Sequence, residues 1–362
     1  MYEKILQPIL FKFDPERMHI LFVRIGKILG ATRTGRFLIG LFCEFEHPAL
    51  KTKVRGIDFK NPIGLAAGFD KDVEITKITS SVGFGFLEVG AITRYPYKGN
   101  PKPRAVRLLA DQSLVISYGL KNRGAEEIEK RLRKLKFSVP VGINIAKTND
   151  PKIKGSESIE DYLATYRTLS KYFAYVTLNV SCPNAGDGCL FQDPSMLLKL
   201  LDAFSRESKT CPIFLKISSH LTEKELDEIL LVVEKYPFVD GFVVGNLAKR
   251  RDLLNLISPR EKLDLIPSGG ISGRPIKELT TKMIRHIYRK TGGKYTIIGL
   301  GGIFTAEDAY EKIKAGASLV QVITGLIYRG PTVVKKINKG LVELFTRDGY
   351  KTIGEAVGKE VD

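Results

Sequence analysis

Residues 295–325 read YTIIGLGGIFTAEDAYEKIKAGASLVQVITG: an apolar run, a glycine turn, a helical stretch and a second apolar run. The first run, YTIIGLG (295–301), is short, β-branched and closed by glycines, as suits a strand buried on both faces. Thr305 supplies an N-cap for a helix over 305–315, and LVQVITG (319–325) follows as the next strand. A helix between two such strands carries the chain back to its starting side, so the strands run parallel.

The same unit recurs upstream. PIGLAAG (62–68), GFLEVGAI (85–92), VGINIA (141–146), YVTLNVS (175–181), IFLKIS (213–218) and GFVVGN (241–246) complete a set of eight candidate strands. Helices are expected between them, among others over 157–173, over 194–206 after Asp193-Pro194, and over 222–236 opened by Thr222-Glu223-Lys224-Glu225. Eight such units in about 270 residues predict an α/β fold of the (β/α)8 TIM-barrel class. An open doubly wound sheet would not ordinarily use so many. Two connections are long, 93–123 and 247–275, and read as loops on the catalytic side of the barrel.

Residues 1–50 follow a different period. Ile5, Ile9 and Leu10, then Met18, Leu21, Phe22, Ile25 and Leu29, predict two amphipathic helices, the second opened by Asp14-Pro15-Glu16. They suit either a cap on the barrel floor or a lid that faces a membrane or a hydrophobic ligand. Residues 54–59 look like a small hairpin leading into the barrel.

With 57 Lys and Arg against 40 Asp and Glu, the chain carries a formal charge of +17, which points to an anionic partner. No zinc finger, RNA-recognition signature or basic zipper is present, so a membrane surface ranks ahead of nucleic acid. Cys43, Cys182, Cys189 and Cys211 are too irregularly spaced for a disulfide framework or a zinc site, and a reducing compartment is expected. No stretch approaches the ~20 apolar residues of a membrane span, and the first residues fit neither a signal nor a transit peptide.

Chemistry in a barrel is sought at the carboxyl ends of the strands. Those ends hold Lys71, Asn144, Asn179, Cys182, Asn184, Lys216 and Asn246, an amide-rich, cationic set that suits a planar ligand with alternating C=O and N–H edges. Gly299 to Gly302 and Thr324-Gly325, after the last two strands, stand where such barrels hold a phosphate on backbone N–H groups.

Several of these segments together resemble the dihydroorotate dehydrogenase family: AAGFDKD (66–72), GINIAK (142–147), NVSCPN (179–184), SGRP (272–275), IIGLGGI (297–303) and GASLVQVITGLIYRGP (316–331). FDPERMH (13–19) is similar to the opening of the family's quinone-dependent class. The resemblance implies an FMN enzyme that oxidises dihydroorotate to orotate in pyrimidine biosynthesis and passes electrons to a membrane quinone. It divides the chain into a membrane- and quinone-facing extension, 1–50, and an FMN barrel, 51–362, resting peripherally on the cytoplasmic face of the inner membrane.

By that resemblance Ala67, Gly68, Lys71, Ala91, Asn144, Asn179, Lys216, Gly245, Gly273, Gly302, Ile323 and Thr324 fall in the FMN shell. Lys71, Tyr118, Gly119, Leu120, Asn179, Asn184, Asn246 and Leu247 fall in the substrate shell, and Cys182 on the catalytic base. The base would take a proton from C5 while hydride leaves C6 for the flavin. Neither resemblance nor spacing calls for a metal.

The sequence departs from the family at several places. Cysteine stands at 182 where quinone-dependent members carry serine; Ile116 and Leu120 replace an asparagine and a phenylalanine; Ala91, Gly245 and Leu247 replace hydroxyl residues. These changes leave a second substrate open, another cyclic amide-bearing compound.

Overall fold

The computed structural model describes residues 2–181 and 191–360. The strands, in chain order, begin with β1 (Thr52–Val54), β2 (Ile57–Phe59), β3 (Ile63–Leu65), β4 (Phe86–Ile92), β5 (Ala105–Leu108) and β6 (Ser113–Ile116). They continue with β7 (Val141–Ile145), β8 (Tyr175–Asn179), β9 (Ile213–Ile217), β10 (Val239–Val244), β11 (Gly270–Gly273), β12 (Thr296–Leu300) and β13 (Leu319–Val322).

Eight of these close into a parallel barrel in the order β3, β4, β7, β8, β9, β10, β12, β13, and β13 returns to β3. They are the eight runs expected from the sequence. Helices Ser156–Leu169, Pro194–Phe204, Glu223–Val233 and Ala306–Lys314 lie where the periodicity puts them. Asp193, Thr222 and Thr305 cap theirs through their side chains, the last two in reciprocal capping boxes with Glu225 and Asp308.

The barrel floor is filled by aromatic rings. A Cβ at Gly64 would overlap the Phe86 ring, and one at Gly142 the Tyr175 ring, so each glycine makes room for its neighbour. Hairpin β1–β2 closes the floor by placing Phe59 edge-on to Phe86, with ring centroids 5.3 Å apart. A larger core lies between the strands and the outer helices.

Two expectations need correction. The N-terminal extension is not two helices: after a π-helical turn (Tyr2–Leu6) come α1 (Gln7–Leu10), α2 (Pro15–Ala31) and α3 (Arg33–Cys43). The apolar period runs past residue 30, but Thr32 turns extended and caps α3 by accepting from the Gly35 N–H at 3.0 Å. The two long connections are not plain loops either. They supply β5, β6 and β11, which pair antiparallel into one three-stranded sheet beside the barrel mouth.

Because the hairpin closes the floor, the extension is free to sit at the other end. Glu16 in the first turn of α2 is buried and bonded to Arg104 at 3.0 Å and Lys121 at 3.3 Å, which ties the extension to the segments around β5 and β6. Tyr2 donates its hydroxyl to the Ile327 carbonyl at 2.7 Å, and Glu3 pairs with Arg329 at 2.5 Å.

Candidate active site

One cavity of about 480 Å³ begins at the carboxyl ends of the barrel strands and runs out between the barrel and the N-terminal helices. Its inner wall is polar, with Asn144, Asn179, Lys216 and Asn246; its outer wall is apolar, with Met18, Phe22, Ile25 and Leu29 of α2 and Ile39 of α3. A site of this size with a few convergent polar groups suits a cofactor or small ligand.

The inner wall is a connected amide ladder. Asn144 at the end of β7 donates to Glu88 at 2.8 Å, and Asn179 at the end of β8 donates to Asn144 Oδ1 at 3.1 Å. Ser181 donates to Asn179 Oδ1 at 3.1 Å, and Asn246 after β10 donates to the Ser181 hydroxyl at 2.8 Å. Strand geometry brings these about, since successive parallel strands deliver their last side chains to the same level of the mouth.

Two lysines flank the ladder. Lys216, at the end of β9, is buried with its Nζ 4.0 Å from the Glu88 carboxylate. Lys71 donates to the Gly68 carbonyl at 2.5 Å and lies 4.4 Å from the centre of the Tyr118 ring. Burial, helped by the charge of Lys121, pushes the Lys71 pKa down to about 8.

Opposite the ladder the wall is backbone. Gly273 and Gly302 both adopt positive φ, 84° and 71°, and a Cβ on Gly302 would overlap Lys277. Thr324 donates to the Ser272 hydroxyl at 2.9 Å beside them. Such turns leave N–H groups clear to meet an anion.

The cavity fits a flavin. Gln321 lines it, and its buried Oε1 has no protein partner among the described residues, which leaves an acceptor for a ring N–H. The amide ladder and Lys216 can meet the polar edge of an isoalloxazine, and the glycine turns can meet a phosphate.

Toward the outside the chemistry changes. His19 Nε2 donates to the Phe69 carbonyl at 2.7 Å, and burial, with Lys71 nearby, pushes its pKa down to about 3, so the ring is neutral at ordinary pH. Arg107 donates to the Phe13 carbonyl at 2.7 Å and stacks over Phe11 at 4.5 Å. Beyond these polar groups the passage is lined by aliphatic and aromatic side chains.

Comparison with known proteins bears on this arrangement. Residues 49–345 match the family described as Dihydroorotate dehydrogenase. The chain belongs to the dihydroorotate dehydrogenase family. A relative from Nostoc punctiforme named Dihydroorotate dehydrogenase (quinone) is 39% identical and aligns over 100% of this chain and 98% of its own. One of the same name from Acidithiobacillus ferrooxidans is 37% identical over 98% of both. Among solved structures, that of DHODH in complex with ferulenol from Eimeria tenella superposes with a TM-score of 0.81 at 29% identity, covering 96% of each chain. Dihydroorotate dehydrogenases generally use a flavin.

Of the residues that sequence reading put in the FMN shell, Ala67, Gly68, Lys71, Ala91, Asn144, Asn179, Lys216, Gly273, Gly302, Ile323 and Thr324 line the cavity. Gly245 does not; a Cβ there would press on the Leu300 carbonyl, so this glycine serves the close contact of β10 with β12. Tyr118, Gly119, Leu120, Asn246 and Leu247 of the expected substrate shell line it as well, together with Ile116. Cys182 and Asn184 lie outside the described residues. Cys43 and Cys211 are free thiols and neither lines the cavity.

Sequence reading missed Glu88, Gln321, Ser272, His19 and Arg107. A signal for Glu88 was present, because a lone carboxylate inside the apolar run FLEVGAI (86–92) has to be hydrogen-bonded once that strand is buried. Gln321 stands in the same position within LVQV (319–322).

Proposed function

We propose that the protein oxidises dihydroorotate to orotate at an FMN held over the barrel mouth and delivers the electrons to a quinone entering between α2, α3 and the barrel. The single observation that supports this most is the continuity of the cavity, from an amide ladder at one end to an apolar opening at the other. A polar, planar substrate and a hydrophobic acceptor are thereby given separate approaches to one bound group.

A bound FMN would supply the acceptor for the hydride that leaves C6 of dihydroorotate and the electron donor for the quinone. The remaining work falls to side chains of this chain. Cys182, as thiolate, removes the C5 proton; a free thiol near pKa ~8.5 is only slightly ionised at neutrality, so its surroundings must lower that value or exclude water. Asn179, Asn184 and Asn246 hold the pyrimidine amides, and Lys71 faces the substrate carboxylate. Lys216 supplies positive charge beside the flavin edge where reduction leaves negative charge, and the turns at Gly273, Gly302 and Thr324 hold the phosphate.

The extension, residues 1–50, acts as the acceptor-facing unit on residues 51–362. Phe37 and Phe42 of α3 are 69% and 67% exposed, and Ile28 and Leu41 are also bare. No helix among the described residues is long and apolar enough to cross a membrane. This apolar face, with Arg24, Lys27 and Arg33 interspersed, favours a peripheral position on an anionic bilayer, where the quinone resides, at the cytoplasmic face.

The test is to mix the purified yellow protein with L-dihydroorotate in the absence of oxygen and follow the flavin absorbance. Rapid bleaching supports the reading. An intact spectrum with flavin bound would move the substrate to another cyclic amide.

A further inference from the structure

Glu88 is fully buried at the barrel centre and does not line the cavity. Its Oε1 accepts from Asn144, and its Oε2 accepts from Gln321 at 2.9 Å and Thr177 at 3.1 Å, with the Tyr175 hydroxyl at 3.4 Å. Lys216 Nζ stands 4.0 Å from Oε1. None of the family motifs quoted above includes it.

A carboxylate accepts hydrogen bonds and donates none, whereas an asparagine amide offers a donor at one end and an acceptor at the other. With Glu88 behind it, Asn144 must turn its NH2 inward, which leaves its Oδ1 facing Asn179. Asn179 must then donate to Asn144, which leaves its own Oδ1 for the Ser181 hydroxyl and, at 3.5 Å, for Asn246 Nδ2. Asn246, at the far end, turns its Oδ1 to the Leu247 N–H at 2.9 Å, a donor-only group that holds this last amide in the same sense. Every link runs in one direction, set at Asn144 and Asn179 by Glu88 and at Asn246 by the Leu247 N–H.

An amide can rotate by half a turn within the same volume and exchange donor for acceptor. Without the acceptor-only group behind Asn144, Asn144 and Asn179 could present either pattern, and a pyrimidine edge complements only one of them. Building on the reading of this cavity as the dihydroorotate site, we propose that Glu88 is a positioning residue: untouched by any ligand, it acts through Asn144 to fix which end of the Asn179 amide faces the pyrimidine. Simple packing does not account for it, because a leucine would fill the same space without the cost of burying a carboxylate.

The test uses the flavin-loaded protein, with orotate affinity read by calorimetry and flavin content and Tm measured alongside. E88Q keeps an oxygen toward Asn144, and Thr177, Tyr175 and Gln321 can each turn to accept from the new NH2. Its orotate affinity should stay within about threefold of the unmodified protein. E88L removes the acceptor and should weaken orotate by about tenfold or more with flavin still bound. Should E88L fail to hold flavin, E88D decides: it keeps the charge but draws back from Asn144, and orotate must bind at least about threefold more weakly.

Unchanged affinity in E88L or E88D overturns the proposal, and so does an equal loss in E88Q and E88L, which would trace the effect to charge rather than to hydrogen-bond direction. A purely structural role would lower Tm and leave orotate affinity unmoved, which also overturns it. If the unmodified protein binds no orotate, the functional reading itself fails and this inference fails with it.

Discussion

The two ends of the cavity are built on opposite principles. At the barrel end, Glu88, Asn144 and Asn179 are buried and hydrogen-bonded in a fixed order that runs on to half-buried Asn246. At the helical end, the walls are Met18, Phe22, Ile25 and Leu29, and the outer face of α3 leaves Phe37, Leu41 and Phe42 bare. An ordered polar wall discriminates strongly, because a wrong ligand leaves buried groups unpaired at about 1–3 kcal/mol each. An apolar wall discriminates weakly and admits whatever is hydrophobic and narrow enough. One cavity can thus be strict about the electron donor and permissive about the acceptor.

Mutations should separate these ends. The largest effect belongs to the proposed base: Cys182→Ala should slow anaerobic flavin reduction by dihydroorotate by about 10²- to 10⁴-fold while leaving reoxidation of the reduced protein by quinone unchanged. Stopped-flow absorbance reads both halves. Equal loss in both would show that the two ends are not independent.

At the other end, replacing Phe37 and Phe42 together by Ser should lower binding to anionic lipid vesicles by about tenfold or more, since burying each ring in lipid contributes roughly 1.5–3 kcal/mol. Flavin reduction by dihydroorotate should not change. Vesicle sedimentation checks the first expectation, and lipid binding that survives the double change would move the membrane face elsewhere.

A pH effect follows from Lys71, whose pKa is pushed down to about 8 by burial. A lysine shifted downward loses its charge as pH rises through that lower value. Orotate affinity, measured by calorimetry, should therefore fall as pH rises above 8, by at most about tenfold per unit. His19 is pushed the other way from relevance, to about 3, so quinone reduction should show no step near 6.5 that belongs to it.

The smallest effect sharpens the donor end. Ile116 lines the cavity where the family usually carries an asparagine, and Ile116→Asn should tighten orotate binding by several-fold, up to about tenfold. No gain would mean that the pyrimidine does not reach this part of the wall.

What could be read from the sequence follows the same division. The barrel strands were legible because each is a short apolar run with glycine or a polar amide at its end, and the capped helices between them because Asp193, Thr222 and Thr305 mark their starts. Asparagines at strand ends could be assembled into a site because the barrel brings all such ends together. The sheet of β5, β6 and β11 was not legible, since Leu114 pairs with Ser272 across a separation that no local pattern records. The break between α2 and α3 hung on Thr32 alone, inside a period that would otherwise continue. Glu88 was visible as an oddity, but which amide it faces is decided by how β4 lies against β7.

The central claim, one cavity with a donor end and an acceptor end, is tested most directly by removing residues 1–45 and measuring both half-reactions on the same flavin-loaded sample. The account predicts that L-dihydroorotate still bleaches the flavin at close to the original rate while reduction of a soluble quinone is lost. Retained quinone reduction, or loss of bleaching in a protein that still holds its flavin, would contradict it.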